Sequence, residues 1–339
     1  AVPQTRRECL HGFLSNILMN LPTLEQLERA ATLVHDLLQP TPMLRWPLLE
    51  QRTGCETWIK HENHNPTGAF KVRGGLVFFD RLKGRDPRCP GVVTATRGNH
   101  GQSVAFAANH FGIPAVVVVP EGNSADKNRA MQAQGIELIE HGRDFDEAVD
   151  HAAQLSRQRG LLRMPSFHED LVSGVASYSL EMFRAQPDLQ RVYVPIGLGS
   201  GICGMISARN ALGLSTEIIG VVSSAAPCYQ LSLAAGECVT TDTADTLADG
   251  MAVRVPNADA LAVMQGNLAD VVSVSDDEVL AAMACYFSDT HNVAEGAGAA
   301  PLAALLQRGE ENAGKRVGLV LSGGNVDASL YRRALAPGH

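Results

Sequence analysis

Ala115-Val116-Val117-Val118-Val119 is apolar at every position. A strand with one face in water alternates apolar and polar residues, whereas a strand covered on both faces does not, and a parallel sheet flanked by helices imposes that double cover. The run therefore predicts an open, doubly wound α/β arrangement rather than a barrel. Working outward, β-rich runs recur at residues 57–60, 92–94, 136–139, 191–194, 217–222, 271–274 and 316–321, and segments with helical spacing fill most of the gaps. Aromatics make up only 5% of the chain while Gly contributes 32 residues, a composition suited to close helix-on-sheet packing and to glycine-lined loops. At 339 residues the chain is long for one core and comfortable for two lobes.

The balance of charge narrows the partners. Lys and Arg number 28 against 36 Asp and Glu, a net charge of −8, with no long basic run, which argues against nucleic acid or an anionic membrane surface and for a small molecule. No apolar run approaches the roughly 20 residues of a membrane-spanning helix. The seven cysteines, Cys9, Cys55, Cys89, Cys203, Cys228, Cys238 and Cys285, are scattered without a Cys-x-x-Cys spacing, as free thiols in a reducing, cytoplasmic setting would be. Residues 1–18 lack the apolar core and cleavage site of a signal peptide and read as an extension before the fold.

Chemistry concentrates in Asn65-Pro66-Thr67-Gly68-Ala69-Phe70-Lys71-Val72-Arg73-Gly74. A Pro-Thr-Gly turn leads into an apolar helical segment, so Lys71 should stand at a helix start. Desolvation and the positive end of the helix dipole there both favour a neutral amine, able to attack a carbonyl. Three further loops follow predicted strands, where backbone N–H groups gather at helix N-termini. Thr96-Arg97-Gly98-Asn99-His100-Gly101 suits a carboxylate, Gly197-Leu198-Gly199-Ser200-Gly201 a phosphate, and Ser322-Gly323-Gly324-Asn325 offers a hydroxyl to a ring nitrogen. Gly199-x-Gly201-x-x-Gly204 also fits a dinucleotide fingerprint, but the next predicted strand ends in Ser223 and Ser224 with no acid for a ribose hydroxyl. His61 and His64 lack the helical i, i+4 spacing and a third ligand, so no metal is expected.

Together these loops resemble the fold-type II pyridoxal-phosphate enzymes, a tryptophan synthase β-like class, and most closely the branch of threonine dehydratase and serine racemase. The resemblance runs from Pro40-Thr41-Pro42 through the Lys71 segment and Leu247-Ala248-Asp249-Gly250 to the Ser322 loop. It implies two open twisted sheets, each flanked by helices: a large cofactor-binding domain of residues 19–87 and 170–339, and a small domain of residues 88–169. It implies that Lys71 carries pyridoxal 5'-phosphate and then removes the substrate α-proton. Phe70 and Gly250 would face the two sides of the ring, Asn99 its phenolic oxygen, the Gly197, Leu198, Gly199, Ser200 and Gly201 amides its phosphate, and Ser322 its nitrogen, with Glu295 and Asn325 alongside. Thr96, Arg97, Gly98, Asn99 and His100 would take the substrate carboxylate.

The implied reaction is conversion of a β-hydroxy-α-amino acid, L-threonine or L-serine, to a 2-oxo acid and ammonia, by a homodimer or homotetramer. A racemase or a β-replacement synthase is the lesser alternative. Two departures bear on the substrate. Arg97 stands where the family commonly has Ser or a small residue, and Glu295-Gly296-Ala297-Gly298 replaces a usual Pro-Ser-Gly or Pro-Thr-Ala continuation, leaving room for an aryl substrate such as L-threo-phenylserine. Residues 221–227 hold no carboxylate where the racemases place cation ligands. The chain ends soon after the Ser322 loop, so no regulatory domain is expected, and a catabolic role follows by analogy.

Overall fold

A computed structural model describes residues 19–336; the extension read at residues 1–18 lies outside them. Among the described residues ten strands form two sheets. The larger has the order β1 (Met43–Arg45), β2 (Glu56–His61), β10 (Arg316–Leu321), β7 (Arg191–Pro195), β8 (Glu217–Ser223) and β9 (Asp270–Val274). All its neighbours are parallel except β1, which runs antiparallel to β2 with Met43 opposite Lys60. The smaller is wholly parallel, in the order β5 (Glu137–Glu140), β4 (Ala115–Val119), β3 (Val92–Ala95) and β6 (Leu162–Arg163).

Alternate residues of one strand enter opposite cores, which is the double cover that the apolar runs predict. In β4, Val117 and Val119 join the Lys71–Arg85 and Asn99–Phe111 helices on one face. Val116 and Val118 meet the Phe145–Arg159 helix on the other. In the larger sheet, Val192 and Val194 pack with the Glu169–Ala185 and Ser200–Ala211 helices, while Tyr193 faces the alanine-rich Gly296–Gln307 helix. The eight predicted strands are all present; β1 and β6 are additional.

Two helices join the sheets. The Lys71–Arg85 helix leads from the larger sheet into the smaller, and the Glu169–Ala185 helix leads back. They cross with backbones in contact, because a Cβ at Gly174 would lie 2.3 Å from the Arg73 carbonyl oxygen and one at Gly74 would lie 2.8 Å from that of Leu171. Beside this crossing a buried ion cluster fixes the first turn of the lysine helix. Arg73, fully buried, donates from Nε to Glu62 Oε2 at 2.7 Å and from Nη1 to Glu181 Oε1 at 2.5 Å. Lys60 also binds Glu181 and donates to the Thr41 carbonyl at 2.7 Å.

Candidate active site

The loops leaving β2, β3, β7 and β10 at their carboxyl ends meet between the sheets, where open α/β sheets place their ligand sites. Gly68 closes the turn after β2 with φ +67, in the left-handed region that favours glycine. The following residues zip onto the β10 loop: Phe70 N–H donates to the Ser322 carbonyl at 3.0 Å and Gly324 N–H to that of Gly68 at 2.9 Å. Lys71 then opens its helix, as the sequence predicts. Burial lowers the pKa of its amine, against the raising effect of Glu295 and Asp249, and Lys127 lowers it further.

Asn99 begins the Asn99–Phe111 helix, and both ends of its side-chain amide are engaged. Its Nδ2 donates to Glu295 Oε1 at 2.7 Å, and its Oδ1 accepts from Asn325 Nδ2 at 2.8 Å. Asn325 Nδ2 also donates to the Thr67 carbonyl at 2.8 Å, so the β2, β3 and β10 loops share one hydrogen-bond chain. Ser322 is buried at 3% exposure, and its hydroxyl has no hydrogen-bond partner among the described residues.

Bare backbone lines the β7 loop. A Cβ at Gly197 would lie 2.3 Å from the Gly250 carbonyl oxygen, and Gly199, at φ +107, caps the Ser200–Ala211 helix. Phe70 lies against Gly201, with its ring edge-on to Tyr178 at 5.9 Å. Of the five residues expected at the substrate carboxylate, Arg97 alone borders the adjoining cleft of about 280 Å³. Thr96 and His100 are buried, and Thr96 Oγ1 accepts the Gly98 N–H at 3.1 Å. Burial, and then the Lys71 charge, push the His100 pKa down to about 3, so its ring is neutral.

Two residues that line this cleft escaped the sequence reading. Lys127, on the Ala125–Gln132 helix beside the smaller sheet, forms an ion pair with Asp249 beside the larger one, and its methylenes cover Gly98. Burial works against the Lys127 ammonium, but Asp249 and Glu295 outweigh it and hold its pKa above the ordinary value. Asp249 lay within a quoted motif, while nothing local in the sequence marks Lys127. The small residues after Glu295 need correction as well. A Cβ at Gly296 would meet Ala248 Cα at 2.8 Å, and one at Gly298 the Gly323 carbonyl at 2.5 Å. These glycines let backbones approach each other, so the side chains they lack would have met backbone rather than a substrate, although Gly296 also borders the cleft.

A lysine with a desolvated amine at a helix start, a backbone-lined loop and an unpartnered hydroxyl at a strand end suit a phosphorylated ring compound held through an amine. Residues 34–323 match the family described as pyridoxal-phosphate dependent enzyme, and the chain belongs to that family. An L-threonine ammonia-lyase from Geobacter sulfurreducens is 38% identical over 278 residues, covering 82% of this chain and 69% of that protein. An L-threo-3-hydroxyaspartate ammonia-lyase from Saccharomyces cerevisiae is 30% identical, covering 92% and 96%. Among solved structures, the processed threonine deaminase isoform 2 from Solanum lycopersicum superposes with a TM-score of 0.85 at 29% identity, covering 93% and 95%. The fold is that of the fold-type II enzymes, and the cofactor of the family is pyridoxal phosphate.

Proposed function

We propose that this protein is an ammonia-lyase that converts β-hydroxy-α-amino acids, L-threonine and L-serine first among them, to 2-oxo acids and ammonia. The observation that carries the reading is the desolvated Lys71 amine, in a site whose strand-end group is a serine hydroxyl, Ser322, rather than a carboxylate. The residues present fit the cofactor. The β7 loop has no side chain to block a phosphate at Gly197, Gly199 or Gly201, and its amides open a helix. The Ser322 hydroxyl is unclaimed.

When bound, pyridoxal phosphate supplies an electron sink conjugated to the substrate α-carbon. Ser322 would meet its ring nitrogen without donating a full proton, which keeps that sink weak and favours loss of a β-leaving group over a long-lived carbanion. Lys71, its neutral form favoured by burial, binds the cofactor and takes the α-proton. Asn99, fixed between Glu295 and Asn325, keeps a second amide hydrogen for the phenolic oxygen. Phe70 and Gly250 bound the ring space, and the backbone from Thr96 to His100 receives the carboxylate. Residues 88–169 form the small domain of this reading.

Arg97 favours a second substrate class. It is exposed, borders the cleft and has no ion pair among the described residues, so its guanidinium is available to a side-chain carboxylate such as that of L-threo-3-hydroxyaspartate. Exposed apolar side chains at Leu48 and Phe287 support a homodimeric or homotetrameric form, and a cytoplasmic location completes the proposal. Light scattering on a sizing column reads the former.

The test is the initial rate of 2-oxo acid release from L-threonine, L-serine, L-threo-3-hydroxyaspartate and L-threo-phenylserine under one set of conditions. Lys71→Ala should abolish release and the cofactor's visible absorption. Undiminished 2-oxo acid production by that variant would sink the proposal.

A further inference from the structure

Glu295 precedes the Gly296–Gln307 helix at its N-cap, yet its side chain makes no capping hydrogen bond there. The carboxyl turns into the site instead, at 3% exposure. Oε1 accepts from Asn99, and it fits there only because residue 323 is glycine: a Cβ would stand 2.3 Å from that oxygen. Oε2 is buried with no partner, although Glu295 borders the substrate cleft. An ionised carboxylate with an unfilled buried oxygen is costly, while a neutral carboxyl converts that oxygen into a donor. The facing groups agree. Burial and the Asp249 charge raise the Glu295 pKa to about 7, against Lys127, Asn99 and Lys71.

We propose that Glu295 protonates the departing β-hydroxyl and is reset by the proton that Lys71 collects. This rests on the lyase reading above. Lys71 takes the α-proton as its amine becomes an ammonium. The electron pair of the broken Cα–H bond becomes the Cα=Cβ bond as Cβ–O breaks. The departing oxygen takes the Oε2 proton and leaves as water, and the Glu295 carboxylate then recovers a proton from the Lys71 ammonium, so the enzyme ends as it began. Other groups at the cleft are less suited: Asp249 and Lys127 are engaged with each other, Asp327 accepts from Ser124, Glu121 is exposed to water, and Arg97 and Arg143 do not release a proton at neutral pH.

Glu295→Gln keeps the shape and an oxygen for Asn99 but has no acidic proton. On L-serine its kcat should fall about 100-fold with KM within about threefold, the loss typical of a removed general acid. β-Chloro-L-alanine, whose chloride leaves without a proton, should turn over at a rate near that of the wild type, which also shows that the variant folds and holds cofactor. In cofactor-free protein, the infrared carboxyl band lost in the variant should titrate near pH 7. Chloroalanine turnover that falls as far as serine turnover, or a carboxyl band titrating near the ordinary 4.5, overturns the proposal. A wild-type protein that releases no 2-oxo acid from serine or chloroalanine overturns the lyase reading instead.

Discussion

Replacing Arg73 by Met should cost 3–5 kcal/mol or so of folding stability, the price of one charge left alone in a protein interior. Arg73 and Glu62 are both fully buried, and Arg73 meets both Glu62 oxygens, at 2.7 and 3.0 Å. Without the guanidinium, Glu62 keeps only neutral donors, the Thr41 hydroxyl at 2.6 Å and the Asn65 amide at 2.8 Å. Glu181 fares better, because Lys60 and His35 remain beside it. The loss therefore belongs mainly to Glu62, and Arg73→Met with Glu62→Gln should recover most of it. Urea unfolding of the cofactor-free protein, followed by circular dichroism, measures both variants. Since domains commonly hold about 5–15 kcal/mol in all, the single variant should shift its midpoint far below that of the wild type. A single variant within about 1 kcal/mol of wild type, or a double variant no better than the single, refutes the reasoning.

Gly197→Ala drives a Cβ to 2.3 Å from the Gly250 carbonyl, so the two backbones must part; cofactor affinity, read by fluorescence titration, should fall at least about tenfold while the fold persists. Acid should weaken the buried cluster through Glu181. Burial raises the pKa of that carboxyl, but Arg73, Lys60 and His35 outweigh it and bring it from 4.5 to about 2. The resulting stabilisation is complete above pH 4.5 and is lost as the pH falls towards 2, so Glu181→Gln should flatten the stability profile in that window.

The sequence was legible where a pattern is local. All eight predicted strands are apolar enough to be seen without partners, whereas β6 has two exposed residues and β1 three residues with one half-buried, and both exist only by pairing at a sheet edge. Lys71, Asn99 and the Gly197 and Ser322 loops could be read because each follows a strand and opens a helix or turn. Contacts between distant segments could not. Arg73 and Glu181 stand 108 residues apart, and Lys127 and Asp249 stand 122 apart. Glycine is ambiguous in another way: Gly298 reads the same whether it faces a ligand or, as here, the backbone of Gly323.

The contact of Gly74 with Gly174 behaves as the stem of a hairpin whose head is the smaller sheet. Everything between residues 86 and 168 leaves and returns through two rods that touch backbone to backbone three residues beyond Lys71 on the outgoing one, and that Arg81 and Arg85 tie again at Asp170. Changes of length in the head, such as a longer turn at Glu121-Gly122-Asn123 where the chain is partly exposed, are absorbed on the far side of the clamp. The depth of the lysine is thus insulated from variation in the loops that border the cleft, which lets one half of the cleft be re-cut while the amine stays in place.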